Sequence, residues 1–120
     1  MTRSLGFFKQ FKGADTVLLS ISPDEARNLA RELKNFAASS MPAMPVAANA
    51  IPGHETKLEA VREAQPVAGT SAFRWLCGPN QVGDILAKMT SLANASEGHQ
   101  YFELLGSEVQ LMVSVGEYRA

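Results

Sequence analysis

The stretch Thr16-Val-Leu-Leu-Ser-Ile-Ser-Pro-Asp-Glu25 decides the fold, because it holds a strand, a helix start and the junction between them. Apolar residues recur at every second position of 16–22, and this period places side chains on one face of a strand. The residues that share this face are Val17, Leu19 and Ile21. We therefore predict a strand over 16–22 that directs this face into the core.

The residues that end this stretch, Ser22 to Glu25, are typical of a helix start. The Ser22 hydroxyl can accept a hydrogen bond from the first turn, and Pro23 has no amide hydrogen that would need a partner. Glu25 stands where its side chain would close a capping box. We predict a helix that runs to Ala38. Its apolar stripe consists of Ala26, Leu29, Ala30, Leu33, Phe36 and Ala37.

A shift of 56 positions superimposes a second segment on this unit. Ala72-Phe-Arg-Trp-Leu-Cys-Gly-Pro79 then lies over 16–23, with Phe73, Trp75 and Cys77 as its inward residues. The helix predicted after Pro79 has an apolar stripe of Val82, Ile85, Leu86, Met89, Leu92 and Ala93. The sequence therefore predicts a duplicated strand–helix unit, 16–38 and 72–94.

A C-terminal hairpin is predicted over 100–115. Gly106-Ser107 fits a two-residue turn with glycine first, and this turn places Phe102 opposite Leu111. One face of the hairpin then carries Phe102, Leu104, Val109, Leu111, Val113 and Val115. The other carries Tyr101, Glu103, Gln110, Met112 and Ser114. This division is typical of an antiparallel pair with one face on the core.

The long connection 39–71 and the N-terminal segment 4–11 are less regular. The connection is rich in Pro, Ala and Met, which favours a loop with an extended piece around 46–51. Within it, 55–64 is compatible with a short helix or a strand, and its composition favours the helix. Segment 4–11 is compatible with a short helix or an edge strand. Long loops in compact proteins often carry function.

The composition indicates one globular α+β domain over 1–120. Apolar residues make up 46% and charged residues 19%, and no apolar run approaches the roughly 20 residues that span a bilayer. A net charge of −1 shows no basic excess, so we expect neither a nucleic-acid nor a membrane partner. A lone cysteine, and an N-terminus unlike a signal peptide, favour a cytoplasmic location.

Three side chains could in principle support catalysis or metal binding. They are Cys77 and the two histidines, His54 and His99, with Glu55 or Glu103 nearby. The spacings match no usual ligand pattern, and Cys77 occupies an inward position of its strand, as a small core residue would. We therefore assign no catalytic residue, no metal ligand and no cofactor.

The polar and aromatic side chains around the hairpin are the candidate binding surface. The candidate residues are His99, Tyr101, Glu103, Gln110, Met112 and His54. Glu117 and Tyr118 could extend this surface at the chain end. A mixed surface of this kind suits recognition of a protein or a small ligand, and an ordinary solvated sheet face is the alternative.

The fold expected from these patterns is an α+β two-layer sandwich. An antiparallel or mixed sheet of four or more strands would carry two helices on one face. The expected function is non-enzymatic protein binding or regulation, for example as an antidote-like or immunity-like protein, through an exposed sheet face. A homodimer through an edge strand or the free sheet face is compatible with this. The alternative is a small enzyme or ligand-binding domain that uses His54 and His99 near the 39–71 loop.

Overall fold

The structure, a computed structural model, describes residues 3–11, 13–64 and 72–116. Within these residues the chain forms an α+β fold with mixed sheets, which confirms the expected class. The helices are α1 (Pro23–Ala38) and α2 (Val82–Ala93). The strands are β1 (Arg3–Phe11), β2 (Ala14–Ile21), β3 (Ala43–Pro45), β4 (Asn49–Ala50), β5 (Leu58–Val61), β6 (Phe73–Leu76), β7 (Gly98–Glu103) and β8 (Gln110–Val115).

The main sheet has five strands in the order β4-β1-β2-β8-β7. β1 and β2 are antiparallel, and the turn between them uses Gly13 at a φ of 86°, a conformation that favours glycine. β2 is parallel to β8, and β8 is antiparallel to β7. Segment 4–11 is therefore a strand, and it pairs with β2 on one side and with β4 on the other.

A second sheet of three strands has β5 in its centre, antiparallel to β3 and parallel to β6. β2 and β6, the strands of the two predicted strand–helix units, therefore lie in different sheets. The helix favoured over 55–64 is wrong, because this segment contains β5. Leu58 and Ala60 are buried on one side of β5, and its main chain pairs with strands on both edges. Tertiary pairing of this kind routinely overrides a weak helix propensity.

The duplicated strand–helix unit is not confirmed. β2 and β6 belong to different sheets, and α2 begins only at Val82. Gly78 stands where Ser22 stands in the first unit, and it has no side chain that could cap a helix. Its carbonyl oxygen instead accepts from the amides of Gln81 and Val82, both at 3.0 Å, which makes a turn. A side chain here is also excluded, because a Cβ at position 78 would lie 2.4 Å from the carbonyl oxygen of Arg62.

The start of α1 is the predicted one. The Ser22 hydroxyl accepts a hydrogen bond from the Glu25 amide at 3.1 Å, and Pro23 lies in the first turn. The Glu25 carboxylate accepts from the side chains of Asn28 and Arg3. The reciprocal contact that would complete a capping box stays a prediction. The hydrogen bond to Ser22 satisfies one of the amides at the helix start that have no partner within the helix.

The core lies between the main sheet, the helices and the small sheet. The main sheet contributes Leu5, Val17, Leu19, Ile21, Leu111, Val113 and Val115. The helices contribute Ala26, Leu29, Leu33, Phe36, Ile85, Met89 and Leu92. Trp75 of the small sheet is 1% exposed, and its ring centroid lies 4.9 Å from that of Phe102 on β7. All of these elements therefore share one core, and Trp75 lies in it as expected.

The C-terminal hairpin has the expected pairing but a wider turn. Phe102 lies opposite Leu111, and the pairing ends at Glu103 and Gln110. The two-residue turn is wrong, because residues 104–109 form a loop. In this loop the Leu105 amide donates to the carbonyl oxygen of Arg74 at 2.8 Å. The loop thus follows the edge of β6. The hydrogen bond from Leu105 to Arg74 forms in place of a tight turn.

Arg3 links β1 to α1 through a buried guanidinium. Its side chain is 4% exposed and contacts Glu32 at 2.5 Å and Glu25 at 3.3 Å. Burial by itself would lower the pKa of Arg3, but the hydrogen bonds and charges of Glu32 and Glu25 outweigh burial and raise it. The hydrogen bond from Asn28 and then the charge of Arg3 lower the pKa of Glu25. Arg3 therefore stays charged and holds the first strand against the first helix.

Ser22→Ala should lower the free energy of unfolding by about 1 kcal/mol, because the Glu25 amide loses its acceptor. Gln81→Ala is the matched control at the start of α2, where no side chain caps the helix. It should change the free energy of unfolding by less than about 0.5 kcal/mol. Urea denaturation measures both variants, and equal losses at the two positions would contradict the capping role of Ser22.

The free energy of unfolding should fall as the pH drops below about 4.5, the ordinary pKa of Glu25. A carboxylate with a lower pKa in the folded state stabilises the fold above its unfolded pKa. That contribution is lost as the pH falls through the folded pKa. Asn28→Ala removes the largest cause of the lowered pKa, so its stability should depend less steeply on pH in this window.

Urea denaturation at a series of acidic pH values measures this dependence. Asn35→Ala, an exposed change on the same helix, is the control and should keep the wild-type slope. A wild-type slope in Asn28→Ala would show that the hydrogen bond from Asn28 to Glu25 contributes nothing to acid sensitivity.

Candidate functional site

The outer face of the main sheet, defined as the face opposite the core, carries most of the candidate residues. On β7 and β8 this face consists of His99, Tyr101, Glu103, Gln110, Met112 and Ser114. The register places Tyr101 beside Met112, and Glu103 beside Gln110. Strand alternation thus brings together the five candidate residues that come from the hairpin.

Access to this face differs between the two strands. Tyr101 is 40% exposed and Glu103 is exposed, whereas Met112 and Ser114 are both 0% exposed. β8 lies between β2 and β7, so Met112 has Leu18 beside it on one strand and Tyr101 on the other. The expectation that Met112 lies on an exposed face is therefore wrong. The accessible part of the candidate surface lies along β7.

Gln110 already has a partner within the sheet. Its side-chain amide donates to the Thr16 hydroxyl at 3.1 Å, and Thr16 in turn donates to the carbonyl oxygen of Ala14 at 3.0 Å. Thr16 is fully buried. Gln110 therefore satisfies a buried polar group of β2, which gives its side chain a structural role in addition to its place beside the groove described below.

The exposed edge of β7 is covered by a lysine of α2. The Lys88 ammonium donates to the carbonyl oxygen of Tyr101 at 3.0 Å and lies 5.0 Å from the centroid of the Phe102 ring. The rings of His99 and Tyr101 meet edge to face, with centroids 5.3 Å apart. Lys88 therefore contacts both the main chain of β7 and the ring of its buried residue Phe102.

His54 lies at the opposite edge of the main sheet. Its ring stacks on Phe8 at 4.1 Å, and its Nδ1 lies 3.2 Å from the carbonyl oxygen of Phe7, to which it can only donate. β1 and β7 are three strand positions apart, a distance of about 14 Å. The structure therefore does not bring His54 and His99 together. Glu117 and Tyr118 lie outside the described residues.

A groove of about 700 Å³ runs between β7, the end of β6 and the first half of α2. Its floor is apolar and consists of Trp75, Ile85, Phe102 and Leu104. Its rim is polar and includes Asn80, Gln81, Asp84, Lys88, Glu103 and Gln110. A concave site with an apolar floor and a few polar groups is the usual form of a binding site.

The sequence predicts candidate residues on the β7 and β8 side of this groove and none on the α2 side. Tyr101, Glu103 and Gln110 were candidates, and all three line the groove. The helix side consists of Gln81, Asp84, Ile85 and Lys88. These positions have helical spacing and share one face of α2. That stripe is visible in the sequence, but nothing in the sequence indicates that it faces β7.

Cys77 is a core residue in the structure. It is 0% exposed, and burial raises the pKa of its thiol to about 12. A thiol that keeps its proton is neither a nucleophile nor a metal ligand. Among the described residues, no three His, Cys, Asp or Glu side chains lie close enough together to hold a metal ion. The geometry therefore gives no support to a Cys–His catalytic pair.

Comparison of the chain with protein-family models, with curated proteins and with solved structures gives no match. Fold and groove together define an α+β protein with an accessible groove beside an edge strand. In the part of the chain that the structure describes, neither helix combines the length and hydropathy needed to cross a membrane.

Cys77 in the folded protein should not react with a thiol-specific reagent at neutral pH, because its thiol is buried and protonated. Reaction should become rapid in denaturant, and in native buffer it should follow the rate of global unfolding. Absorbance with a chromogenic disulfide reagent measures both rates. Fast modification without unfolding would place Cys77 at an accessible site and contradict its burial.

Proposed function

We propose that this chain is a non-enzymatic protein-binding module that takes an extended segment of its partner into the groove beside β7. The observation that carries the proposal is the edge of β7, where the carbonyl oxygen of Tyr101 accepts a hydrogen bond from Lys88 and Tyr101 lines the groove. In the described part of the main sheet, β7 pairs with β8 alone. An edge of this kind is a template for another strand.

The main chain of β7 supports this mode of binding. In an antiparallel pair, the peptide groups of alternate residues point away from the neighbouring strand. The hydrogen bond from Lys88 to the carbonyl oxygen of Tyr101 supports a direction away from β8 for the peptide groups of Tyr101. Glu103, two positions later, would then present its peptide groups to the same edge. An added strand lies about 4.8 Å from such an edge and exchanges hydrogen bonds with it. The hydrogen bonds would supply affinity that does not depend on the partner's side chains.

The floor of the groove supplies specificity for apolar side chains. Phe102 and Trp75 pack against each other at 4.9 Å and are both buried, which gives the groove a rigid aromatic floor. Every second side chain of an added strand would point toward this floor. Buried aromatic residues at the centre of a contact usually supply much of its binding energy.

The rim favours a partner segment with basic residues. Glu103 lines the groove and is exposed, and Glu108 lines a second cavity of about 360 Å³ that shares Glu103 and Gln110 with the groove. The Lys88 ammonium already has a partner in the Tyr101 carbonyl oxygen. Lysine or arginine side chains on the partner would complement this acidic rim and steer the encounter.

An antidote-like protein or a regulatory subunit acts through contacts of this kind, and we propose this class for the chain. A homodimer through the same edge is an outcome that the experiment below detects. A small enzyme built on His54 and His99 gains no support, because neither histidine lines the groove and the two lie at opposite edges of the sheet.

Selection of displayed random dodecapeptides against the full chain tests the proposal. Enriched peptides should alternate apolar side chains and should contain lysine or arginine. On peptide binding, amide hydrogen exchange should slow in β7 and in the first half of α2. Exchange that slows elsewhere, or a selection that enriches no peptide, would overturn the proposal. If sedimentation shows that the chain forms a dimer without a peptide, the occupant of the groove is a second copy of the chain.

Glu103→Lys should weaken binding of a selected peptide by about tenfold at low salt, because it reverses a charge on the acidic rim. Glu55→Lys is the matched control, since it reverses an equally exposed charge beside His54 at the far edge of the sheet. Calorimetric titration measures both affinities, and thermal unfolding verifies that both variants fold. Equal affinities in the two variants would show that β7 is not the binding edge.

A further inference from the structure

Lys88 occupies the place that an incoming strand would need. Its ammonium donates to the carbonyl oxygen of Tyr101 and lies over the ring of Phe102, 5.0 Å from the ring centroid. Both are surfaces that the proposed binding mode uses, one for a main-chain hydrogen bond and one for an apolar side chain. A partner segment therefore has to displace Lys88 before it can pair with β7.

The same helix face offers Lys88 a second partner. Asp84 precedes Lys88 by one helical turn, and both side chains line the groove. An acidic residue four positions before a basic one is the favoured arrangement for an ion pair on a helix. In this structure Lys88 donates to Tyr101, and among the described residues no ion pair joins Lys88 to Asp84.

From this geometry we infer that Lys88 is the gate of the groove, moving from the carbonyl oxygen of Tyr101 to the carboxylate of Asp84 when an extended segment binds. The inference rests on the proposed function and adds the regulation of that same site. An amide of the segment replaces the ammonium at the carbonyl oxygen of Tyr101, and an apolar side chain takes the place of the ammonium over the ring of Phe102. The displaced charge keeps a partner, so opening the gate leaves no ammonium without an acceptor.

The closed gate also protects the free protein. A lysine over a sheet edge is one of the ways in which proteins keep edge strands from pairing with other copies. Here the lysine comes from a neighbouring helix and can swing away, so the edge is covered without being permanently blocked. The arrangement selects segments that bind strongly enough to displace Lys88.

Lys88→Met tests the gate, because methionine keeps an unbranched apolar side chain and removes the ammonium that contacts Tyr101 and Phe102. A dodecapeptide selected against wild type should bind this variant about tenfold more tightly, the effect of removing one competing charge-assisted hydrogen bond. Lys34→Met removes an exposed charge on α1 and is the matched control; it should leave the affinity unchanged. The gain in Lys88→Met should persist at high salt, where long-range repulsion is screened.

Asp84→Asn, measured in the wild-type chain and in Lys88→Met, tests whether Lys88 moves to the carboxylate of Asp84. The substitution should weaken peptide binding in the wild-type background by several-fold and should have a much smaller effect in Lys88→Met. Equal weakening in both backgrounds would show that Asp84 contacts the peptide directly, and would overturn its role as the second partner of Lys88.

The outcomes separate the gate from the proposed function. The gate is overturned if the peptide binds wild type tightly and Lys88→Met shows no gain in affinity, or a gain that high salt removes. The proposed function stands in that case. Absence of peptide binding in wild type and in Lys88→Met alike overturns the proposed function itself. Fluorescence anisotropy of the labelled peptide gives the affinities, and thermal unfolding shows that each variant is folded.

Discussion

The parallel pairing of β2 with β8 is the constraint on which the rest of the structure depends. It joins the second strand of the chain to the last strand, with Leu19 beside Val113 in the centre of the main sheet. Val17, Leu18, Met112 and Val113 are at most 3% exposed, so the pair is buried on both of its faces. Parallel neighbours cannot be joined by a tight turn and need a long crossover connection. The chain between these two strands provides it, with both helices, the small sheet and β7.

This pairing also determines which strand ends the main sheet on the side of the groove. β8 is fixed beside β2, so β7, its antiparallel neighbour, becomes the end of the sheet. The loop after β7 follows the edge of β6 through the bond from Leu105 to Arg74, and α2 lies alongside with Lys88 on Tyr101. The groove therefore results from three elements that meet at one sheet edge, and its floor is a continuation of the core through Trp75 and Phe102.

Some features could be predicted because they depend on neighbours in the chain. The Ser22 cap, the inward face of β2 and the pairing of Phe102 with Leu111 all follow from local hydrogen bonding or from strand alternation. Strand alternation likewise placed Tyr101 and Glu103 on one side of β7, and their role in binding stays a prediction. Burial of Met112 could not be predicted, because it depends on the position of its strand inside the sheet.

The sequence by itself determined the α+β class, the helix start at Ser22, the core faces of the strands and the apolar stripes of the helices. Periodicity and capping are local, and they leave the same signature in any fold. Only the tertiary structure decided that β6 belongs to a second sheet, that Gly78 delays α2 and that Lys88 covers the edge of β7. The physical reason is that the main-chain groups of every strand are alike, so burial and close packing between distant segments select which strands pair.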